Sequence, residues 1–124
     1  GADGLIMTKD KSSPFSSVAV AASAGTAFLL PIATVANLSY AMERLKKEGY
    51  WLYGLDASTG TDYRKEKYSQ SSAFVLGSEG SGLRELTRKN VDFFVRIPMR
   101  SGVESLNVST ALAVVLFRAV EIQR

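Results

Sequence analysis

Residues 73–98 of the chain, AFVLGSEGSGLRELTRKNVDFFVRIP, decide the fold class. An apolar run is followed by a glycine-rich turn, then by a short stretch with helical spacing, and a second apolar run begins at Phe93. A strand, a helix and a strand in this order make a unit typical of parallel neighbours, which need a crossover between them. The sequence therefore predicts an α/β fold in which a mostly parallel sheet is flanked by helices.

Upstream of this segment the chain alternates in the same way. Apolar runs predict strands, and apolar residues at helical spacing predict helices. The predicted elements are strands at residues 4–7, 31–35 and 50–55, a small-residue helix over about 14–24, and a helix over 38–48. Asn37 and Gly49 fit the two ends of the last helix, as its cap and its terminator. The polar stretch over residues 56–71 is predicted to be a mobile surface loop.

The composition limits the chemistry that is available. At 124 residues with 46% hydrophobic content, the chain is predicted to form one domain over residues 1–124. It contains no cysteine and no histidine, which removes the thiol nucleophile, the commonest general base and the commonest transition-metal ligand. The net charge of +3 is compatible with a nucleic-acid partner but does not identify one. Asp56 and Asp62 lack the spacing of metal ligands, and no metal is expected.

A membrane-spanning segment is not expected. The longest weakly charged run, residues 18–36, is interrupted by polar residues and by Gly25 and Pro31. A membrane span needs about 20 strongly apolar residues without such interruptions. We expect a cytoplasmic protein without a membrane partner.

Three loops are predicted to meet at one edge of the sheet. They follow predicted strands and cover residues 54–56 (GLD), 77–82 (GSEGSG) and 97–107 (IPMRSGVESLN). In open parallel sheets, ligands bind at the carboxyl ends of the strands. Glycines directly after a strand allow the backbone to approach a ligand closely. The same residues also fit a tight strand-to-helix turn with a solvated Glu79, and the sequence leaves both interpretations open.

The C-terminal segment predicts a helix with an apolar face and an unusual start. The apolar face consists of Leu112, Val115, Leu116, Ala119 and Val120. Just before it, Ser105, Asn107 and Ser109 interrupt an otherwise apolar run. Ser105 fits the cap position with Asn107 bonding inside the first turn, and a helix N-terminus also suits a polar ligand. Capping and ligand binding are both compatible with these residues.

Taken together, these loops and the helix start resemble the SpoU (TrmH) family of RNA ribose 2′-O-methyltransferases, part of the SPOUT class. One family motif, G-x-E-x-x-G followed by I-P-M, is similar to Gly77, Glu79, Gly82 and residues 97–99, and a second, S-L-N-V-S-x-A, to residues 105–111. The resemblance extends over nearly the whole chain. It implies a deep trefoil knot at the C-terminal end of the fold, with S-adenosyl-L-methionine bound in the knot.

The resemblance also implies roles for individual residues. The residues that match cofactor contacts are Gly77, Ile97, Leu106 and Met99, with Gly54 and Leu55 in the preceding loop. Those that match the polar residues organising the reacting ribose are Asn107, Glu79 and Ser105. The residues themselves, apart from the resemblance, indicate one more group: Arg84, Arg88 and Arg100 are basic residues at the carboxyl edge of the sheet that could contact RNA phosphates or could be ordinary solvated side chains. A homodimer through the knot region is expected, with Val114 and Phe117 on the C-terminal helix available for it.

One family motif has no counterpart in this sequence. It carries an asparagine and, several residues later, an arginine, on a strand and helix upstream of what is residue 1 here. We therefore expect a catalytic domain without its first strand–helix unit, acting on ribosomal or transfer RNA, with ribosomal RNA preferred. One alternative is a knotted RNA-binding module that transfers nothing. Another is an unrelated α/β domain that binds a phosphate-bearing nucleotide rather than S-adenosylhomocysteine.

Overall fold

The computed structural model describes residues 1–9, 21, 23–78 and 80–123. The chain divides into two compact units, Gly1–Ala41 and Met42–Arg124, and helix α1 (Leu38–Lys47) contains the boundary between them. Within the described ranges every pairing between the strands is parallel. This confirms the predicted α/β class. None of the helices in these ranges is long and apolar enough to cross a bilayer.

The first unit contains a two-stranded parallel sheet. Strand β1 (Leu5–Thr8) pairs with β2 (Ile32–Val35) in a register that runs from Leu5 opposite Ile32 to Thr8 opposite Val35. Both strands lie within one residue of their predicted positions. A 3₁₀ helix at Thr26–Leu29, which the sequence did not predict, precedes β2. Most of the helix predicted over residues 14–24 lies outside the described residues.

Helix α1 has the two ends that the sequence predicts. The Asn37 side chain accepts a hydrogen bond from the backbone N–H of Tyr40 at 3.1 Å, which is the bond expected of a cap. At the other end, Gly49 has a φ of +90°. Gly49 and Tyr50 donate backbone hydrogen bonds to Lys46 and Leu45 at 3.0 Å each, in the pattern of a Schellman motif.

The second unit is built on a four-stranded parallel sheet. Its strands are β3 (Trp51–Leu55), β4 (Thr61–Asp62), β5 (Ser72–Val75) and β6 (Phe93–Arg96), in the spatial order β4-β6-β3-β5. Helix α2 (Glu85–Asn90) connects β5 to β6, and helix α3 (Val108–Gln123) follows β6. The strand–helix–strand unit predicted over residues 73–98 is confirmed.

Residues 56–71 are mostly irregular and exposed, as their polar composition predicted, but two parts of the segment contact the sheet. Thr61 and Asp62 pair with β6 as an edge strand, and Tyr68 is buried. The Tyr68 ring lies 5.2 Å from that of Tyr53 and 5.7 Å from that of Phe74, measured between centroids. The prediction missed these aromatic contacts, which Tyr68 makes to β3 and β5 and which hold this part of the segment against the sheet.

The core of the second unit lies between its sheet and helix α3. Its buried members are Tyr53, Tyr68, Val95, Val115 and Ala119. Val115 and Ala119 belong to the predicted apolar face of the helix, and Val115 is fully buried. Burial of a valine side chain contributes about 1.5–3 kcal/mol. This contact fixes α3 on the sheet.

Candidate active site

A cavity of about 380 Å³ lies at the carboxyl edge of the four-stranded sheet. Its wall includes Leu55 at the end of β3, Gly77 two residues beyond β5, and Ile97 directly after β6. Residues at the start of α3 complete it, among them Val108 and Ala111. The predicted meeting of three loops at this edge is therefore observed, as expected for a parallel sheet.

The glycine-rich loop forms one wall of the cavity and closes on itself. Ser78 donates a backbone hydrogen bond to the Gly82 carbonyl at 3.2 Å, and Gly82 donates one to the Ser78 carbonyl at 2.9 Å. Gly82 has a φ of +68°, a conformation that side chains disfavour. Gly77 lies at the neck of the loop, where no Cβ atom has room. The tight-turn and cavity-lining interpretations thus both hold for this loop. Glu79 lies outside the described residues.

Helix α3 is capped by Asn107, not by Ser105. The Asn107 Oδ1 atom accepts hydrogen bonds from the Ser109 backbone N–H at 3.0 Å, the Ser109 hydroxyl at 2.5 Å and the Thr110 N–H at 3.4 Å. Of the two interpretations that the sequence left open for Ser105, capping does not apply, because the helix begins at Val108. Ser105 precedes the helix and lines the cavity together with Leu106.

Most of the remaining cavity wall is apolar. The side chains that form it are Leu55, Leu76, Leu83, Val95, Ile97, Met99, Leu106, Val108 and Val115. A wall of this kind, broken by a few polar groups, is typical of sites for small organic molecules. Among the residues that the structure describes, no group of three acidic side chains is placed to hold a metal ion.

The polar part of the wall contains an ion pair that sequence reasoning missed. Asp56, the residue after β3, pairs with Arg88 of α2, and both line the cavity. Asp56 also accepts hydrogen bonds from the backbone N–H and the hydroxyl of Ser58, at 2.8 and 2.7 Å. Burial raises the pKa of Asp56, but the hydrogen bonds from Arg88 and Ser58 outweigh it and lower the pKa to about 2.

The other sequence-predicted residues lie at different distances from the cavity. Gly54 is buried in β3, where an added Cβ would lie 3.1 Å from side-chain atoms of Leu83 and Val91, and it does not line the cavity. Arg84 and Arg100 are exposed and outside the lining. The structure brings together Gly77, Ile97, Met99, Leu106, Leu55, Ser105 and Arg88.

The sequence matches a known family over most of its length. The profile of the SpoU rRNA Methylase family covers residues 1–117. The 23S rRNA (guanosine-2′-O-)-methyltransferase RlmB of Xanthomonas campestris pv. campestris is 41% identical over 120 residues, which is 97% of this chain and 48% of that protein. RlmB of Vibrio vulnificus is 38% identical over 120 residues, 97% of this chain and 49% of that protein. The chain thus spans about half the length of these relatives.

Solved structures lead to the same family. The SpoU methyltransferase AviRb from Streptomyces viridochromogenes, in complex with the cofactor AdoMet, matches with a TM-score of 0.89 and 28% identity, over 99% of this chain and 48% of that one. The AdoMet-bound rRNA methyltransferase from Sinorhizobium meliloti matches with a TM-score of 0.88 and 28% identity, over 98% and 46%. The fold and the site together define a class: α/β proteins with parallel sheets flanked by helices and, here, a cavity at the carboxyl edge of the four-stranded sheet. Within this class, the chain belongs to the SpoU rRNA methylase family, which confirms the resemblance seen in the sequence.

Proposed function

We propose that this chain is the catalytic part of an RNA methyltransferase that uses S-adenosyl-L-methionine to methylate a ribose 2′-hydroxyl. Of the two candidate substrates, we favour ribosomal RNA over transfer RNA. The observation that carries the proposal is the cavity at the carboxyl edge, formed by the loops that hold the family motifs. The names of the RlmB relatives and the AdoMet bound to two structural neighbours support the substrate and the cofactor.

The cavity fits a cofactor of this kind. Its volume of about 380 Å³ lies within the range of small-molecule sites. The wall at Gly77 is bare backbone, because a Cβ there would collide with Gly82. Exposed backbone next to apolar side chains suits a ligand that combines a flat base with polar groups. The residues that would hold it are Gly77, Ile97, Met99, Leu106 and Leu55.

The reaction requires little acid–base catalysis from the protein. When bound, the cofactor supplies the electrophilic methyl group. The task of the chain is then to hold the reacting hydroxyl in line with that group and to exclude water. We assign the organisation of the ribose to Asn107, Ser105 and Glu79. The cap bonds hold the Asn107 side chain at the first turn of α3, next to the cavity residues Ser105 and Leu106.

The proposal includes a trefoil knot and a homodimer. The knot is supported by membership of the SpoU rRNA methylase family, and the segments it would involve, the glycine-rich loop, residues 97–106 and α3, line one cavity. A dimer through α3 is supported by Phe117, a residue that is 80% exposed on a helix of predominantly apolar sequence. Arg84 and Arg100 are exposed at the same edge and are assigned to RNA phosphates. An enzyme acting on such RNA would work in the cytoplasm.

Cofactor binding can be tested with a matched pair of variants. S-adenosylhomocysteine is titrated calorimetrically into the 124-residue chain, and ATP is titrated in parallel. Leu106→Arg places a charge in the apolar cavity wall, whereas Val103→Arg places one on an exposed residue of the same segment outside the lining. We expect one-to-one binding of S-adenosylhomocysteine that Leu106→Arg abolishes and Val103→Arg retains. Binding of ATP instead would contradict the proposal.

The transfer itself is tested with the full-length protein. Incorporation of a labelled methyl group into ribosomal and transfer RNA is measured, and the product is digested to nucleosides to locate the group. Methylation at the ribose 2′-oxygen is expected. Binding of S-adenosylhomocysteine and RNA without transfer would instead favour a knotted RNA-binding module.

A further inference from the structure

The ion pair between Asp56 and Arg88 joins two walls of the cavity. The two residues are 32 positions apart in the chain, and they reach the cavity from different elements. Asp56 begins the turn that follows β3, and this turn contributes Ala57 and Ser58 to the wall. Arg88 belongs to α2, which follows the glycine-rich loop on the other side. The pair is thus a direct side-chain link between these two walls.

Both members of the pair are held from several sides. The Asp56 carboxylate accepts from Arg88 through one oxygen and from Ser58 through the other. The Asp56 backbone N–H donates to the Val95 carbonyl at 3.1 Å. The Arg88 guanidinium carbon lies 4.6 Å from the centroid of the Phe94 ring, within the range of a cation–π contact. The turn over residues 56–58 is therefore fastened to both β6 and α2.

A second ion pair on α2 provides an internal comparison. Lys89 and Glu85 lie 3.8 Å apart, and their side chains are 68% and 87% exposed. The side chains of Arg88 and Asp56 are 37% and 15% exposed. Exposed pairs contribute little because water and salt screen them, whereas partly buried pairs are screened less. The Asp56–Arg88 pair is the one that can hold a loop in place.

We propose that Asp56 and Arg88 are positioning residues that fix the turn over residues 56–58 against α2 and thereby set the affinity of the cavity for the cofactor. This inference rests on the proposed function for the identity of the ligand. The positioning itself rests only on the contacts described above. Loss of Arg88 leaves the Asp56 carboxylate without its charged partner. Among the described residues, Asp56 then keeps the hydrogen bonds from Ser58 within the turn and the backbone bond to Val95 of β6.

The test compares Arg88→Gln with Glu85→Gln, which breaks the exposed pair on the same helix. The affinity for S-adenosylhomocysteine is measured by calorimetry, and hydrogen exchange of the Ser58 amide is measured without ligand. Arg88→Gln should raise Kd about tenfold, as expected for a charged hydrogen bond lost at the wall, and should speed exchange at Ser58. Exchange at the buried Val115 amide should change much less. Glu85→Gln should leave the Kd and the exchange rates of the Ser58 and Val115 amides within about twofold of those of the unmodified chain.

Two further variants keep the test decisive. Arg88→Lys keeps the charge but loses the planar fork and its stacking on Phe94, so an intermediate Kd is expected. If Arg88→Gln does not fold, Asp56→Asn, which is nearly isosteric, replaces it with the same expected result. Unchanged affinity and unchanged Ser58 exchange would overturn the inference. If the unmodified chain fails to bind S-adenosylhomocysteine, the proposed function fails, and the Ser58 exchange then decides whether the pair positions the turn.

Discussion

A Cβ atom on Gly77 would lie 2.0 Å from the backbone carbonyl carbon of Gly82. The same atom would lie 2.3 Å from the backbone nitrogen of Leu83. Ser78 and Gly82 exchange two backbone hydrogen bonds at this point, so the two ends of the glycine-rich loop cannot separate without breaking these bonds. The loop that forms one cavity wall therefore depends on the absence of a side chain at position 77.

Gly77→Ala is expected to open the loop. Because the clash is with backbone atoms and not with a flexible side chain, the loop must move, and we expect a loss of about 2–4 kcal/mol in the free energy of unfolding. S-adenosylhomocysteine should bind at least about tenfold more weakly. Urea denaturation and calorimetry measure the two effects.

Gly102→Ala is the matched control for this change. Gly102 has a φ of +87°, but an added Cβ there would meet nothing within 4 Å. Gly102→Ala should lower the free energy of unfolding only by the strain of a left-handed conformation, about 1–2 kcal/mol, and should leave S-adenosylhomocysteine binding unchanged. Equal losses of stability and binding in both variants would mean that the contact between Gly77 and Gly82 is not the cause.

Asn107 has a capping role that can be separated from a catalytic one. Asn107→Ala removes the acceptor for the N–H groups of Ser109 and Thr110, so a loss of about 1 kcal/mol in stability is expected, with S-adenosylhomocysteine binding largely retained. Asn107→Asp keeps an acceptor oxygen and adds a negative charge at a helix N-terminus, so stability should stay close to that of the unmodified chain. Urea denaturation measures both variants.

Asn107→Asp then tests the role of the side-chain amide, because the substitution removes the amide nitrogen and keeps the cap acceptor. If Asn107 organises the reacting ribose, Asn107→Asp in the full-length protein should retain stability and lose methyl transfer to RNA. Retained transfer in a stable Asn107→Asp protein would show that the residue only caps the helix.

Local signals in the sequence were sufficient for some elements and not for others. Helix α1 was predicted with both ends because a cap and a terminating glycine act within a few residues of the helix. The start of α3 was left open, since Ser105 and Asn107 are both good cap residues, and the structure places Asn107 in the cap position. The sheet contacts of residues 56–71 were missed for a different reason. Its composition is polar, and the burial of Tyr68 depends on rings in other strands.

The cavity was predictable because of topology, and its ion pair was not. Once the strands are parallel, the loops after them meet at one edge, so the motif residues Gly77, Ile97 and Leu106 are brought together. Asp56 and Arg88 carry no pattern that links them across 32 positions. Their contact depends on how α2 sits beside the end of β3, which local sequence does not encode.

The Tyr68 hydroxyl tests whether residues 56–71 are held as the structure indicates. This hydroxyl donates to the Tyr63 carbonyl at 2.9 Å, and the residue is buried. Tyr68→Phe keeps the ring contacts and removes the donor, so the Tyr63 carbonyl loses this partner, and we expect a loss of about 1 kcal/mol by urea denaturation. Tyr40→Phe, at an exposed position, should change stability by less than about 0.5 kcal/mol. A Tyr68→Phe protein as stable as the control would show that this hydrogen bond does not stabilise the folded chain.

The carboxylate of Asp56 is expected to make stability depend on acid pH. Hydrogen bonds from Arg88 and Ser58 prevail over burial and lower its pKa from 3.8 to about 2. Because the folded state binds this proton more weakly than the unfolded chain does, the contribution to stability is present above about pH 4 and is lost as the pH falls towards about 2. The stability difference between the unmodified chain and Asp56→Asn should therefore be largest near about pH 6 and shrink below about pH 4. Urea denaturation at a series of pH values measures it.

Measuring the effect of Asp56→Asn on stability in a protein that already carries Arg88→Gln tests whether the ion pair causes the acid dependence. Without the guanidinium, the pKa of Asp56 should rise towards its ordinary value, since burial then acts against fewer hydrogen bonds. The acid dependence of the difference should therefore be smaller in that background than in the unmodified chain. An acid dependence of equal size in both backgrounds would show that Arg88 does not stabilise the charged carboxylate. The lowered pKa of Asp56 would then be due to its hydrogen bonds with Ser58.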